Sequence, residues 1–482
     1  MFTTVLYLLS IVLVLFTIVK FLKLKFGEKP VVMIAKVMAI VLFTLGIVRC
    51  FLNDNFIWII NGGSYANKQY DQSDILQSLL RWFMFLSYIV YPCAVFFKSR
   101  LLKNFAIYFC LPVAIVSMFF YNDFLTYFIT DADRGFMTPD WFRHFEFSLE
   151  LVLMVVVPLI IRFCLNHKFD VKNVKEWLCF VGLLPCTLLL VIPVYLPQSL
   201  FGFTNMFMKP FSIQNIMWVV VIFALFIILY FAFRFKDRET RFTLCVFFSL
   251  YLFLHYNSIY LMDFIMSRLP FQLCNLGSYL VLIGLLVKKQ SFFNFILFAN
   301  VPGAMIAFCV PDISEGMLSY WNIHFYIEHT WVFIIPLLCV ALRIMDRPKK
   351  SSIKHFFIGF TIYFLFCAIS GVICNAYLYI PNDPFFNKVN YFYLFNTTVL
   401  EILPFLGFTR IWPVVVNGYT FFPLYMLLIY VLYSIFCLVF IYIFIKLAEV
   451  GDDHFNLRKI KVDMYTESGR YKKRIPKKNY ID

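Results

Sequence analysis

The sequence predicts an all-α polytopic membrane protein, and three observations lead to that prediction. Of its 482 residues, 62% are hydrophobic and only 14% are charged, whereas soluble domains are about half apolar and about a quarter charged. Apolar stretches long enough to cross a bilayer recur along the chain. The connections between them are alternately rich and poor in Lys and Arg. This composition excludes a soluble enzyme, a nucleic-acid-binding protein and a disulfide-stabilised domain.

A membrane-spanning helix needs about 20 predominantly apolar residues. Enough stretches meet this requirement to predict about 13 transmembrane helices: 2–22, 31–52, 75–97, 101–121, 143–165, 177–198, 213–235, 242–262, 271–289, 292–310, 323–345, 355–379 and 418–447. The first stretch is uniformly apolar and lacks a small-residue cleavage site. We therefore interpret it as a retained helix and not as a signal peptide.

The connections between these spans predict the orientation of the chain. Every odd-numbered connection is basic, from Lys20–Lys29 after span one to Arg343–Lys354 after span eleven, and so is the tail after span thirteen. The even-numbered connections are poor in Lys and Arg and lean acidic. Because cytoplasmic loops collect positive residues, we expect the N-terminus outside, the C-terminus in the cytoplasm and the protein in the plasma membrane. Topology accounts for the net charge of +15.

The two halves of the sequence resemble each other, which predicts an internal repeat. KSRLLKNF at 98–105 corresponds to KKQSFFNF at 288–295, and Pro158 corresponds to Pro336 in a later apolar stretch. An even number of helices per unit gives two parallel copies. We therefore predict an extra N-terminal helix (1–30), a divergent six-helix scaffold unit (31–237), a second six-helix unit (238–450) and a basic cytoplasmic tail (451–482) that also suits contact with anionic lipid.

Polar and ionisable side chains are expensive inside a bilayer, so they are functional candidates. The second half of the chain carries most of them, and the predicted orientation brings them to one depth in the outer leaflet. They are His255, Asn257, Cys274, Asn275, His324, Glu328, His329 and Asn375. The first half lacks this set, so we expect it to be a degenerate partner of the second.

This set of residue types suits nucleophilic catalysis by a thiol. A base converts a cysteine into the reactive thiolate, and a neutral histidine can take that proton and later return it. Amides such as Asn257, Asn275 and Asn375 can donate to an oxyanion or orient an imidazole. The chain has 13 cysteines and no CxxC motif. A metal site needs three or four ligands at one depth, which His255, His324 and His329 barely provide. No metal or other cofactor is expected.

Six stretches of the second half, taken in order, resemble the YwaF family of integral membrane proteins, which includes transmembrane protein 164 of animals. They are FQLCN (271–275), FFNFILFANVPGAMIAFCVPD (292–312), HFYIEHTW (324–331), RPKK (347–350), NAYLYIPNDP (375–384) and LEILPFLGFTRIWP (400–413). The resemblance covers about residues 240–447. Members of that family usually have a single unit, whereas this chain carries another in front.

The resemblance implies an acyltransferase that moves a fatty acyl chain onto a lysolipid through a Cys acyl-enzyme. Carried over to this sequence, Cys274 is the nucleophile and His329 is the general base, with a membrane lipid or acyl chain as substrate. The alternative is a secondary transporter, because twelve helices in two parallel six-helix units is also the plan of major-facilitator carriers.

Overall fold

The computed structural model of the chain describes residues 2–52, 72–126, 128, 137–174, 176–177, 180–181, 209–257, 265–311, 320–383, 385–396, 400 and 404–454. Within this part of the chain, nine helices are long and apolar enough to cross a membrane. The predicted polytopic, helical membrane protein is confirmed. The number of thirteen spans and their orientation stay predictions, and the predicted span 177–198 falls largely outside the described residues.

The helices follow the predicted spans closely. In chain order they are α1 (Phe2–Phe26), α2 (Glu28–Leu52), α3 (Gln72–Phe96), α4 (Arg100–Met118), α5 (Tyr121–Leu125), α6 (Asp140–Cys164), α7 (Ile213–Phe233), α8 (Arg238–Asn257), α9 (Leu273–Val287), α10 (Gln290–Cys309), α11 (Tyr320–Ala341), α12 (Ile353–Ile373) and α13 (Pro423–His454). The π-helical turns Ala106–Cys110 and Ile160–Cys164 lie within α4 and α6, and Cys374–Leu378 extends α12.

One predicted boundary is wrong, because a β-hairpin precedes α13. Strands β1 (Val414–Val416) and β2 (Tyr419–Phe421) pair in antiparallel register. Asn417 and Gly418 between them both have positive φ, of 47° and 79°. Two-residue hairpin turns of type I′ require positive φ at both central residues, which favours Asn-Gly. The predicted span 418–447 therefore begins as a strand, and the helix begins at Pro423, where a proline is well tolerated.

The chain divides into two compact units. The first comprises residues 1–207, 254–263 and 315–324, and the second comprises 208–253, 264–314 and 325–482. In the first unit α6 is central, since α1, α2 and α4 all pack against it. Gly46 of α2 allows a close approach to α3, because a Cβ at that position would lie 2.7 Å from the Tyr88 ring.

In the second unit α10 is central and packs against α7, α9, α12 and α13. Residues 293–302 of α10 are buried without interruption. Helices in a bilayer gain contact area where small residues let their backbones approach. Here a Cβ on Gly359 of α12 would lie 2.5 Å from Cγ and 2.9 Å from Cβ of Phe295, and one on Gly284 of α9 would lie 2.6 Å from Ile296.

An Asn–His hydrogen bond occurs in both units, between residues that correspond at offsets of 190 and 188, close to the offset of 190 between the stretches 98–105 and 288–295. His167 Nε2 donates to Asn104 Oδ1 at 2.6 Å in the first unit, and Asn294 Nδ2 donates to His355 Nδ1 at 3.3 Å in the second. In the first unit this bond joins the beginning of α4 to the segment just after α6. In the second unit it joins the beginning of α10 to the beginning of α12. These pairs favour an internal duplication, which stays a prediction.

Replacing Gly359 by Ala should loosen the packing of α12 on α10. Phe295 presents its Cβ as well as its ring to Gly359, so a rotamer change cannot clear the added methyl group. Overpacking of this kind costs about 1–3 kcal/mol of unfolding free energy, measured by thermal unfolding of the purified chain. The matched control is Gly407→Ala, whose Cβ meets nothing within 4 Å. Equal melting temperatures for the two variants would contradict the packing assignment.

His167, beyond the end of α6, should make the stability of the first unit depend on pH. Burial, followed by the positive charges of Lys103 and Arg100, lowers the pKa of His167 from 6.5 to about 4. Between these values the unfolded chain binds more protons, so stability is lost as the pH falls through this range. After allowance for solvent screening, His167 should account for about 1 kcal/mol between pH 7 and pH 5. His167→Gln should lose correspondingly less stability in that interval, and identical pH profiles would overturn the assignment.

Candidate functional site

The FQLCN segment at the beginning of α9 is held by hydrogen bonds to its backbone. Tyr363 of α12 donates its hydroxyl to the Phe271 carbonyl at 2.9 Å, and the Cys367 thiol donates to the same oxygen at 3.3 Å. Asn300 of α10 donates Nδ2 to the Leu273 carbonyl at 2.8 Å. Two helices thus position the backbone on which Cys274 is carried.

Gln272 adds a third attachment, because its side-chain amide forms two hydrogen bonds. Nε2 donates to the Asn390 carbonyl at 2.8 Å, and Oε1 accepts from the Phe392 backbone N–H at 2.9 Å. Phe392 and Tyr393 both have positive φ, an uncommon conformation for aromatic residues. The Gln272 amide therefore stabilises a strained loop against the beginning of α9.

Cys274 lies in the first turn of α9, and its thiol is half-buried. Sγ donates to Asn275 Oδ1 at 3.2 Å and lies within reach of the backbone N–H groups of Cys274 and Asn275. The N-terminal end of a helix carries unpaired N–H groups and partial positive charge, which stabilise a thiolate or an oxyanion. Its first turn is thus a suitable place for a nucleophilic thiol.

Helix α11 contributes Glu328 and His329, which are buried with 4% and 3% of their surface exposed. The Glu328 carboxyl interacts electrostatically with the Cys274 thiol. His329 Nδ1 donates to the Phe325 carbonyl at 2.6 Å. Since that bond places the proton on Nδ1, the neutral ring presents a basic lone pair at Nε2. Within the described residues, neither His329 Nε2 nor Glu328 Oε1 has a hydrogen-bond partner.

Two phenols lie near the thiol and were not expected from the sequence. Tyr363 and Tyr433 both interact electrostatically with Cys274, and Tyr433 donates its hydroxyl to the Ala299 carbonyl at 2.6 Å. With Asn300, they line the surroundings of Cys274. Asn300 was detectable as an amide within an apolar span, whereas tyrosines are too frequent in this sequence to be informative.

Asn375 is engaged elsewhere in the second unit. Its Nδ2 donates to the Val389 carbonyl and its Oδ1 accepts from the Val389 N–H, both at 2.9 Å. This pair of bonds fixes the 389 backbone beside the end of α12. The described contacts of Asn375 thus hold a loop.

The other three predicted residues, His255, Asn257 and His324, belong to the first unit. The rings of His255 and His324 stack with centroids 4.5 Å apart, and His255 Nε2 lies 3.5 Å from the His324 carbonyl oxygen. Asn257 is buried at the end of α8. The structure thus pairs the two histidines with each other.

The predicted Cys274–His329 dyad stays a prediction. Both side chains belong to the second unit, and each has free hydrogen-bonding capacity or partial exposure. Among the described residues no hydrogen bond joins them, and the acidic neighbour of the thiol is Glu328. The described part of the chain also contains no group of three His, Cys, Asp or Glu side chains placed to bind a metal ion.

The first unit holds a buried charged cluster that the sequence analysis did not single out. Arg49, Arg81, Glu146 and Glu150 are all 0% exposed. Each lies inside a predicted span, so the sequence could have indicated this cluster through the presence of charged residues in apolar stretches. A 20-residue window tolerates one or two charges without losing its apolar character, which is why they did not stand out.

Comparison with known families agrees with the six matching stretches. The sequence model of the TMEM164 family matches residues 207–444, which include the start of α9 and all of α10 and α11. No curated protein and no solved structure is significantly similar to the chain. The resemblance inferred from residues 271–413 is therefore confirmed. The C-terminal part of the chain, residues 207–444, is thus similar to the TMEM164 family.

Proposed function

We propose that this protein is an integral membrane acyltransferase that carries a fatty acyl chain as a thioester on Cys274. The observation that supports this most directly is the placement of a half-buried thiol in the first turn of α9, beside two backbone N–H groups. A donor ester and an acceptor dissolved in the bilayer could both reach such a site without crossing water. The substrate is a membrane lipid or a lipid-linked acyl chain.

In the first half-reaction, the thiolate of Cys274 attacks the carbonyl carbon of the donor ester. The carbonyl oxygen becomes an oxyanion, for which the N–H groups at the beginning of α9 are donors. The C–O bond then breaks, the thioester forms, and the departing lysolipid oxygen takes a proton. In the second half-reaction an acceptor hydroxyl gives its proton to His329 and attacks the thioester; the C–S bond breaks, the new ester forms and the thiolate is released.

His329 is the proposed proton carrier, because its Nε2 has a free lone pair among the described residues. Proton transfer requires about 2.6–3.2 Å between heavy atoms or one bridging water. Since no hydrogen bond joins the two side chains, transfer needs such a water or a rotation of the Cys274 side chain. Asn275, which accepts from the thiol, holds Sγ in its present rotamer.

The transporter alternative is favoured by one specific observation, the buried cluster of two arginines and two glutamates in the first unit. Intramembrane charges commonly mark substrate or ion pathways. A transporter would need this cluster but would not need Cys274. Location in the plasma membrane is part of the proposal for either function, and so is lipid contact by the tail, whose residues 455–482 lie outside the described part of the chain.

An acyl-transfer assay in proteoliposomes tests the enzyme. The purified chain is given a phospholipid with a labelled acyl chain and a lysophospholipid acceptor. We expect label on the protein that neutral hydroxylamine releases, as thioesters require, and labelled phospholipid formed from the acceptor. Cys274→Ser should remove the thioester and lower transfer at least about a hundredfold. His329→Ala should lower transfer by a similar factor.

Cys309→Ser is the matched control and should transfer at the wild-type rate, because it removes another half-buried thiol of the same unit. If Cys274→Ser transfers acyl chains as fast as the wild type, the acyl-enzyme mechanism is wrong. Uptake of solute by proteoliposomes containing Cys274→Ser would then support the transporter.

A further inference from the structure

We propose that the first unit contains a binding site for a zwitterionic group, in which Arg49 holds an anionic oxygen group and Glu146 holds an ammonium. The group could be the headgroup of a lipid or a free small zwitterion, since both present the same chemistry. This site is separate from Cys274 and its residues lie in α2, α3 and α6. The proposal does not depend on the acyltransferase function.

The cluster is built from three helices of the first unit. Arg81 of α3 donates Nη1 to Glu150 Oε1 of α6 at 2.8 Å. Tyr88 of α3 also donates to Glu150, and Arg81 Nη1 contacts the Tyr88 hydroxyl at 3.2 Å. Arg49 of α2 lies opposite α6, with Nη1 3.7 Å from Glu146 Oε2 and Nε 3.6 Å from Glu150 Oε2.

Burying four charged side chains costs free energy unless their charges and hydrogen-bonding groups are compensated. All four charged side chains are 0% exposed, and an uncompensated ion in a low-dielectric interior costs several kcal/mol. Packing with apolar side chains would hold three helices together equally well. Retention of four ionisable groups within membrane-spanning helices therefore points to a binding role.

The hydrogen bonding of the cluster is incomplete, more so at Arg49 and Glu146 than at Arg81 and Glu150. Within the described residues, Arg81 Nε and Nη2 and Glu150 Oε2 have no hydrogen-bond partner, but Glu150 Oε1 accepts from both Arg81 and Tyr88. In contrast, within the described residues Nε, Nη1 and Nη2 of Arg49 and both carboxyl oxygens of Glu146 have no hydrogen-bond partner. Arg49 Nη1 and Glu146 Oε2 are 3.7 Å apart, which is longer than the roughly 2.7–2.9 Å of a charge-assisted hydrogen bond. Arg49 and Glu146 thus offer donors and acceptors that nothing described uses.

The charge balance selects the ligand. With all four side chains ionised, two arginines and two glutamates have no net charge, so an anion or a cation bound alone would leave a buried charge uncompensated. A zwitterion adds no net charge and supplies both missing partners, a phosphate or carboxylate oxygen for Arg49 and an ammonium for Glu146. Phe128 covers the guanidinium face of Arg49 at 3.7 Å, so the N–H edges of Arg49 remain for the ligand.

The position of the cluster in α6 parallels that of the candidate site in α11. Glu150 lies eight residues before Pro158 in α6, and Glu328 lies eight residues before Pro336 in α11. Each glutamate therefore occupies the same position relative to the proline of its helix. Both glutamates are buried, and each has one carboxyl oxygen without a hydrogen-bond partner among the described residues. The first unit thus has a polar cluster at the helix position that corresponds to Glu328 in the second unit.

Equilibrium binding to the purified full chain tests the proposal. The probes are glycine, phosphoethanolamine and dihexanoylphosphatidylethanolamine, with acetate and ethylammonium as carriers of one charge only. We expect saturable binding of at least one zwitterion, about tenfold or more tighter than either single-charge probe, because each of the latter loses one charged contact. Binding of the tail-less probes identifies a free zwitterion, and binding of the lipid alone identifies a headgroup.

Two conservative variants locate the site. Arg49→Lys keeps the charge but loses the planar fork, and Glu146→Gln keeps the shape but loses the charge; each should weaken binding about tenfold or more. Arg143→Lys is the matched control on α6, since Arg143 pairs with Asp140 near the helix start, and it should bind like the wild type.

Three results would overturn the proposal: no saturable binding of any zwitterion, equal binding by acetate or ethylammonium, or unchanged binding by both Arg49→Lys and Glu146→Gln. The comparison between zwitterions and single-charge probes uses only the wild-type chain. This comparison therefore tests the proposed zwitterion site even if a variant fails to fold.

Discussion

The hydrogen bond from Asn300 to the Leu273 carbonyl is the contact on which the arrangement around Cys274 depends. It joins α10, the central helix of the second unit, to the beginning of α9. The two helices can come close enough because α9 has glycines at 277 and 284, where a Cβ would collide with Asn300 and Ile296. In a bilayer no water competes for these polar groups, so one amide inside an apolar helix can set where the thiol lies.

The absence of competing water also distinguishes polar side chains that hold the backbone in place from polar side chains that are candidates for function. Gln272 and Asn375 each form two hydrogen bonds to loop backbone, which uses their side-chain amides to fix chain geometry. His329 Nε2, Glu328 Oε1 and the guanidinium of Arg49 have no such partners within the described residues. Since a buried polar atom without a partner costs about 1–3 kcal/mol, these atoms are the ones for which a ligand or a reacting group provides a reason.

Sequence reasoning found the membrane, the helices and the family because each depends on a pattern spread over many residues. It missed the β-hairpin because Asn417 and Gly418 act through their two backbone conformations, which barely change the hydropathy of a stretch. It passed over Arg49 and Arg81 for a related reason, since a single charge does not alter the average of a long apolar helix. Its eight candidate residues included Cys274, Glu328 and His329, whose chemistry is visible in the sequence.

The sequence by itself determined that this chain is a helical membrane protein and that residues 207–444 match the TMEM164 family, because apolar length and ordered motifs are properties of the linear chain. Only the tertiary structure decided that His255 stacks on His324, that Glu328 is the acidic neighbour of Cys274 and that Arg49 lies opposite Glu146. The physical reason is that such contacts depend on the rotation of each helix about its axis and on the crossing of its neighbours. Packing of small and large side chains along the whole interface sets both.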